Sequence, residues 1–124
     1  MIKNKGNILI IDDSNTNVVL VEAILNSKGY NTITAMSVKE ALPIIDDEHP
    51  KLILLDLLMP QVSGYQFLED LKKDNRTRNI PVIIVSAVSG KESKTKTRDL
   101  GAIDYIEKPI NIKVLIQKVE AILN

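Results

Sequence analysis

Short apolar runs alternate along the chain with longer segments of mixed polarity. Residues 8–11, 52–55 and 81–85 are apolar without alternation, which is typical of strands buried on both faces of a parallel sheet covered by helices. Two weaker runs, at residues 31–35 and 104–107, bring the number of predicted strands to five.

The segments between these runs carry helix signals. Ser37 is followed three positions later by Glu40, which is the pattern of a capping box at the start of a helix. Asn111 is expected to cap the last helix. Pro43 falls inside the second predicted helix, where it is expected to kink the helix without ending it. The other helices are predicted at residues 15–28, 65–73 and 91–100.

Strict alternation of strand and helix predicts an α/β fold with right-handed crossovers, a parallel sheet and helices on both faces. The 124 residues, 44% of them hydrophobic, are enough to build one continuous core. No repeat or long linker divides them, so we expect one domain spanning residues 1–124.

Composition excludes several classes of protein. The 16 basic and 16 acidic residues give a formal net charge of zero, so the chain lacks the charge of a nucleic-acid binder, and we expect no direct nucleic acid contact. The absence of cysteine excludes disulfides and thiolate metal sites. Residues 1–7 do not resemble a signal peptide and no apolar run is long enough to span a bilayer, so a cytoplasmic protein without a membrane role is expected.

Polar residues stand where predicted strands end. Asp12 and Asp13 follow the first strand, Asp56 the third, Ser86 the fourth and Lys108 the fifth. Ligands of open α/β sheets bind at the carboxyl edge of the strands, so these side chains are expected to converge there.

Three carboxylates in one cleft repel one another. At about 5 Å and an effective dielectric constant of about 20, each pair costs roughly 3 kcal/mol. A hard divalent cation such as Mg²⁺ offsets this repulsion, and Lys108 adds one positive charge. A carboxylate nucleophile, a metal, a cation and a hydroxyl together suit phosphoryl transfer.

Each residue taken alone also fits a structural role. Asp12 and Asp13 could cap the first helix, and Ser86 could be an ordinary strand-end hydroxyl. Lys108 alone would be a solvated lysine, and Tyr105 a core aromatic. Asp56 favours a chemical role even alone, because an unpaired carboxylate at the end of a buried run is costly, and the whole set strengthens that interpretation.

The same residues occur in a familiar order. The chain resembles the receiver domain of two-component response regulators over nearly its whole length. The pieces that carry the resemblance are Ile10-Ile11-Asp12-Asp13, Leu54-Leu55-Asp56-Leu57-Leu58-Met59-Pro60 with Ser63-Gly64, Val85-Ser86-Ala87, and Tyr105-Ile106-Glu107-Lys108-Pro109.

The resemblance implies a flavodoxin-like, five-stranded sheet in the order 2-1-3-4-5. It implies that Asp56 is the phosphoacceptor, with Mg²⁺, or alternatively Mn²⁺, held by Asp12, Asp13, Asp56 and the backbone carbonyl of Leu58. Ser86 would hydrogen-bond the phosphoryl group, and Lys108 would pair with it.

The resemblance also implies a switch and its partners. Tyr105 would turn inward in the active state, the Lys108–Pro109 bond would be cis, and the face formed by residues 91–124 would change. The chain would be a signalling domain, not an enzyme, although it would assist its own phosphorylation and dephosphorylation. Its partners would be a sensor histidine kinase or histidine phosphotransfer protein, a downstream protein or fused output domain, and, after phosphorylation, a second copy.

Three alternatives stay open at this point. An Asp-nucleophile phosphatase of the haloacid dehalogenase type needs a second acid two positions after the nucleophile, where Leu58 stands. A flavodoxin-like cofactor binder would use residues 13–17, which lack glycine. An unphosphorylated docking module would not need the complete set of acids, hydroxyl and lysine.

Two further features have consequences for function. Leu58 and Val88 lie two positions after Asp56 and Ser86, and neither can orient an attacking water, so slow self-dephosphorylation is predicted. The charged segment 91–98 fits a partner surface and a solvated helix face about equally well. His49 is expected to be a solvated loop residue.

Overall fold

The computed structural model describes residues 7–59 and 63–123. Residues 1–6, Pro60 of the quoted motif and residue 124 at the end of the predicted output face lie outside the described residues. The elements are β1 Asn7–Ile11, α1 Asn15–Ser27, β2 Asn31–Ala35, α2 Val38–Glu48, β3 Leu52–Leu55, α3 Gly64–Lys73, β4 Val82–Ser86, α4 Lys91–Asp99, β5 Asp104–Glu107 and α5 Ile112–Leu123.

All strand pairs in the described residues are parallel, and the sheet has the order β2-β1-β3-β4-β5. The predicted fold class is therefore confirmed. Strand order reverses beside β1, because the chain passes first to β2 on one side and then to β3 on the other. The register aligns Ile11 with Leu55, so the residues that follow these two strands are neighbours.

The apolar strands are buried because helices cover both faces of the sheet. On one face α1 and α5 contribute Val21, Leu25, Leu115 and Val119 to a cluster with Ile10 of β1. On the other face α2 and α3 pack against the alternate strand residues, which include Leu9, Ile53 and Ile84. Two-sided burial explains why these strands show no polar alternation.

The helix ends agree with most of the local signals. Ser37 Oγ accepts a hydrogen bond from the Glu40 amide, as in a capping box, but the Glu40 carboxylate accepts from the Met36 amide instead of the Ser37 amide. Helix α2 continues through Pro43, as predicted, while the kink stays a prediction. The Asn111 side chain caps α5 by accepting from the Val114 amide.

Candidate functional site

Three carboxylates meet at the carboxyl edge of the sheet. Asp12, Asp13 and Asp56 each have a side-chain oxygen within 4.8 Å of the others. Asp12 and Asp56 are each only 4% exposed, while Asp13 is exposed. The β1–β3 register brings the buried pair together, and the Asp56 amide donates to the Ile11 carbonyl. The predicted convergence of these acids is present in the structure.

Lys108 reaches the buried carboxylates from the end of β5. Its Nζ lies 2.8 Å from Asp12 Oδ2 and 3.3 Å from Asp56 Oδ2. The Lys108 amide donates to the Ser86 carbonyl, and the bond to Pro109 is cis, as the resemblance implied. The lysine is therefore a bridging cation and not a solvated side chain.

The charges in this cluster do not balance. Three carboxylates face one ammonium, which leaves two negative charges unmatched. Burial raises the pKa of Asp12, and hydrogen bonds from Lys108 and Ser14 offset this only in part. Burial would lower the pKa of Lys108, but its hydrogen bond and charge interactions with Asp12, together with the charge of Asp56, raise it overall.

These two directions differ from those of a simple ion pair, in which the carboxyl pKa falls as the lysine pKa rises. Burial explains the difference, because it is the largest influence on the pKa of the Asp12 carboxyl and the contacts with Lys108 and Ser14 offset it only in part. The raised pKa of Lys108 reflects its pairing with the two carboxylates, and the raised pKa of Asp12 reflects the burial of its carboxyl group.

Backbone contacts orient both buried carboxylates. Asp12 Oδ1 accepts from the Ser14 amide at 2.8 Å, and Asp56 Oδ1 accepts from the Leu58 amide at 3.1 Å. Asp12 therefore also supports the start of α1, so its structural and chemical roles coexist. In each case the second oxygen contacts Lys108.

Gly64 was not predicted to matter beyond its place in the motif. A Cβ at this position would lie 2.5 Å from Leu57 Cα and 2.8 Å from the Asp56 carbonyl oxygen. The first residue of α3 therefore packs directly against the backbone that carries Asp56. The sequence feature that could have indicated this close contact is the glycine itself, because glycine has no propensity advantage at the start of a helix.

Ser86 and Tyr105 occupy the neighbouring strands. Ser86 is fully buried at the end of β4, and its Oγ accepts from the Val88 amide at 3.3 Å. Tyr105 is half-buried, and its hydroxyl donates to the Val88 carbonyl. We call this arrangement, with the hydroxyl on the segment after β4, inward; the movement of Tyr105 on activation stays a prediction.

The remaining predicted positions flank the cluster. Leu58 is 57% exposed and Val88 is half-buried against the second core cluster, so both present apolar side chains near the site. The role of the Leu58 carbonyl stays a prediction. His49 is exposed at the end of α2. No helix within the described ranges has the length and apolar character needed to cross a membrane.

A family comparison matches almost the whole chain. The sequence model described as "Response regulator receiver domain" matches residues 8–120. The polar-differentiation response regulator DivK of Brucella ovis is 36% identical over 116 residues, which is 94% of this chain and 94% of that protein.

Solved structures of response regulators and of a chemotaxis protein are also similar to this chain. The receiver domain of the Francisella response regulator 1452 superposes with a TM-score of 0.88 and 32% identity, covering 95% of this chain and 96% of that one. The Vibrio cholerae chemotaxis protein CheY4 has a TM-score of 0.87 and 25% identity, covering 94% and 98%. These similarities do not favour the phosphatase or the flavin binder.

Proposed function

We propose, from the premise that this chain belongs to the response regulator receiver domain family, that Asp56 is the residue at which it accepts a phosphoryl group. The chain is a signalling domain with the role of a phosphoacceptor switch.

The observation that carries the proposal is the surplus of negative charge around Asp56. Asp12, Asp13 and Asp56 present oxygens within 4.8 Å of one another, and Lys108 alone does not balance them. Hard carboxylate oxygens are the ligands that Mg²⁺ takes, and Mn²⁺ accepts the same donors, so the residues fit such an ion. We propose that these three acids, with the Leu58 carbonyl, hold it.

The bound ion would supply positive charge against the carboxylates and the incoming phosphoryl group. Asp56 provides the nucleophile: one of its oxygens attacks phosphorus, and the phosphorus–nitrogen bond of a partner phosphohistidine breaks. The bonding pair returns to the donor imidazole, and an acyl phosphate forms on Asp56. In this sense the domain assists its own phosphorylation and, with water as nucleophile, its own dephosphorylation.

Lys108 and Ser86 are placed to respond to the new charge. Lys108 lies 3.3 Å from Asp56 Oδ2 and can pair with a phosphoryl oxygen. Ser86 accepts from Val88, which leaves its own proton for the phosphoryl group. These contacts differ between the two states, so they can shift an existing conformational equilibrium.

The output of the switch is proposed to be the α4–β5–α5 face. It holds a cavity of about 320 Å³ lined in part by Lys94, Arg98, Ile103 and Lys118, so basic and apolar groups are both available to a partner. Ile103 is 57% exposed. A downstream protein, a fused output domain or a second phosphorylated copy would bind there.

Family membership implies a histidine kinase or phosphotransfer protein as donor. Such donors present their phosphohistidine in the cytoplasm, so we propose that this chain acts there. We propose no nucleic acid partner, because the formal net charge of the chain is zero.

Labelling with acetyl phosphate and Mg²⁺, followed by intact mass measurement, tests the acceptor. The native chain should gain one phosphoryl group, and Asp56→Asn should gain none because it lacks the nucleophile. Asp47→Asn, an exposed acid on α2, is the matched control and should label like the native chain. Labelling of Asp56→Asn at the native rate would contradict the assignment.

The lifetime of the acyl phosphate tests the apolar positions near the site. Leu58→Asn should shorten it severalfold because an amide beside the site can orient water, and the exposed position tolerates the change. Val88→Glu should act in the same direction. Decay of the radiolabelled protein at the native rate in both variants would reject the prediction of slow dephosphorylation.

A further inference from the structure

Helix α3, helix α4 and strand β5 are linked by a continuous series of hydrogen bonds. Tyr65 Oη lies 2.8 Å from Ser93 Oγ, which in turn lies 3.1 Å from Tyr105 Oη. The Tyr105 hydroxyl also contacts the Val88 carbonyl. Ser93 is buried at 8% exposure, and both rings are half-buried. The series therefore lies largely beneath the surface, between α3 and the segment after β4.

Elementary donor counting fixes the direction of every bond in the series. A carbonyl only accepts, so the single proton of the Tyr105 hydroxyl goes to Val88. Tyr105 must then accept from Ser93, which uses the only proton of the serine hydroxyl. Ser93 must therefore accept from Tyr65. Protons point one way, from Tyr65 through Ser93 and Tyr105 to Val88.

The series ends next to the proposed phosphorylation site. The Val88 amide donates to Ser86 Oγ, and the Val88 carbonyl receives Tyr105, so this residue is held on both sides. Ser86 is the hydroxyl proposed to bind the phosphoryl group. The position of Tyr105 is thereby connected to Ser86 through a single residue, Val88.

We propose that Tyr65 and Ser93 are positioning residues that hold Tyr105 inward in the unphosphorylated protein. If Tyr105 turned outward, the Val88 carbonyl would lose its hydroxyl donor and Ser93 would lose its buried acceptor. Hydroxyls bonded in series also polarise one another. The switch is thus set toward its inward arrangement before any phosphoryl group arrives.

Removing one hydroxyl from the series should change the ratio of inward to outward Tyr105 by about two- to tenfold, which is the net effect of one neutral hydrogen bond. Tyr65→Phe is a clean variant, because Lys96 Nζ lies 4.2 Å from the centroid of the Tyr65 ring and can keep that contact with phenylalanine. Ser93→Ala is equally mild, because alanine is the strongest helix former.

Fluorine NMR of the fluorotyrosine-labelled chain measures the state of Tyr105. In the unphosphorylated protein, Ser93→Ala and Tyr65→Phe should move its signal toward the solvent-exposed position and increase its shift between water and deuterated water. Thr95→Ala is the matched control on the exposed side of α4 and should leave the signal unchanged. A native Tyr105 signal in Ser93→Ala would overturn the proposal.

The double variant tests the route of the coupling. Ser93 is the residue that joins the two tyrosines, so Tyr65→Phe should have no further effect in the Ser93→Ala background. A further shift of the same size would show that Tyr65 acts by another path and would also overturn the proposal.

The Tyr105 signal after phosphorylation distinguishes a positioning role of Tyr65 and Ser93 from a purely structural one. Of these experiments, only this one rests on the proposed function. Acetyl phosphate should change the Tyr105 signal more in the variants than in the native chain, where the ring is already inward. An equal change would count against the proposal. If the native chain fails to label, the proposed function fails, while the resting-state spectra still decide the present inference.

Discussion

Helices α4 and α5 flank the same edge strand, β5, but different contacts attach them to the protein. Helix α5 buries Leu115 and Val119 completely in an apolar cluster. The buried residues of α4 are Ser93 and Thr97, which carry hydroxyl groups. Helix α5 is therefore held by apolar area, whereas the buried contacts of α4 include the hydrogen bonds of Ser93 to Tyr65 and Tyr105.

This difference matters because the two kinds of contact respond differently to movement. Apolar burial stabilises in proportion to area and has no preferred direction. Hydrogen bonds between hydroxyls depend on geometry, and each contributes little net free energy, so they can be exchanged for others at low cost. These contacts predict that α4 moves more readily than α5.

The largest effect is expected from truncating the apolar anchor of α5. Leu115→Ala should lower the free energy of unfolding by about 2–5 kcal/mol, since it leaves a cavity in a fully buried cluster. Urea denaturation followed by circular dichroism measures the loss. A loss below about 1 kcal/mol would mean that α5 is not held mainly by buried area, and the contrast with α4 would fail.

The meeting of polar residues at the sheet edge belongs to the part of the molecule that could be predicted from the sequence. Parallel strands end at the same edge of the sheet, and the strand order implied by the resemblance puts β1 beside β3, so Asp12 and Asp56 were expected to be neighbours. Lys108 follows from the same rule. Local patterns also sufficed for the Asn111 cap, because the capping atoms lie within one helical turn.

Contacts between side chains on separate helices could not be predicted in this way. Tyr65 and Ser93 are 28 positions apart, and no local rule relates them. The spacing of Ser93 and Thr97 does place both on one helix face, but polar residues there favour solvent exposure in any pattern-based reading. The close approach of Gly64 to Leu57 likewise depends on the path of the backbone after β3.

Nearly isosteric substitutions in opposite directions test the same comparison of α5 with α4, with smaller expected changes in stability. Val119→Thr places a hydroxyl in the apolar cluster under α5 and should cost about 1–3 kcal/mol. Thr97→Val removes a hydroxyl that donates only to the Ser93 and Lys94 carbonyls of its own helix, and should change stability by less than about 1 kcal/mol.

The urea midpoints of the two variants measure the difference between these two losses of stability, provided that the variants unfold with the same m-value. Equal losses would mean that the two helices rest on equivalent surfaces. A larger loss for Thr97→Val would mean that this hydroxyl contributes more to stability than the apolar burial of Val119, which would contradict the comparison.

The smallest effect is expected from the ion pairs, which are matched between the two helices. Lys94 of α4 lies 2.6 Å from Glu107, and Lys118 of α5 lies 2.8 Å from Asp104, so each helix has one such link to β5. The hydrogen bond to Glu107 raises the pKa of Lys94, but the pair is exposed and water screens it.

Lys94→Gln and Lys118→Gln should therefore each shift the urea midpoint less than the apolar variants do, and added salt should remove the shift because it screens exposed charges. Lys113→Gln, at an exposed position on α5, controls for the loss of charge alone. A loss confined to Lys94→Gln that exceeds the loss in the apolar variants and disappears with added salt would mean that α4 is fixed to β5 by charge. The hydroxyl contacts of α4 would then not determine its position, and the two helices would differ in their ion pairs instead of in their buried contacts.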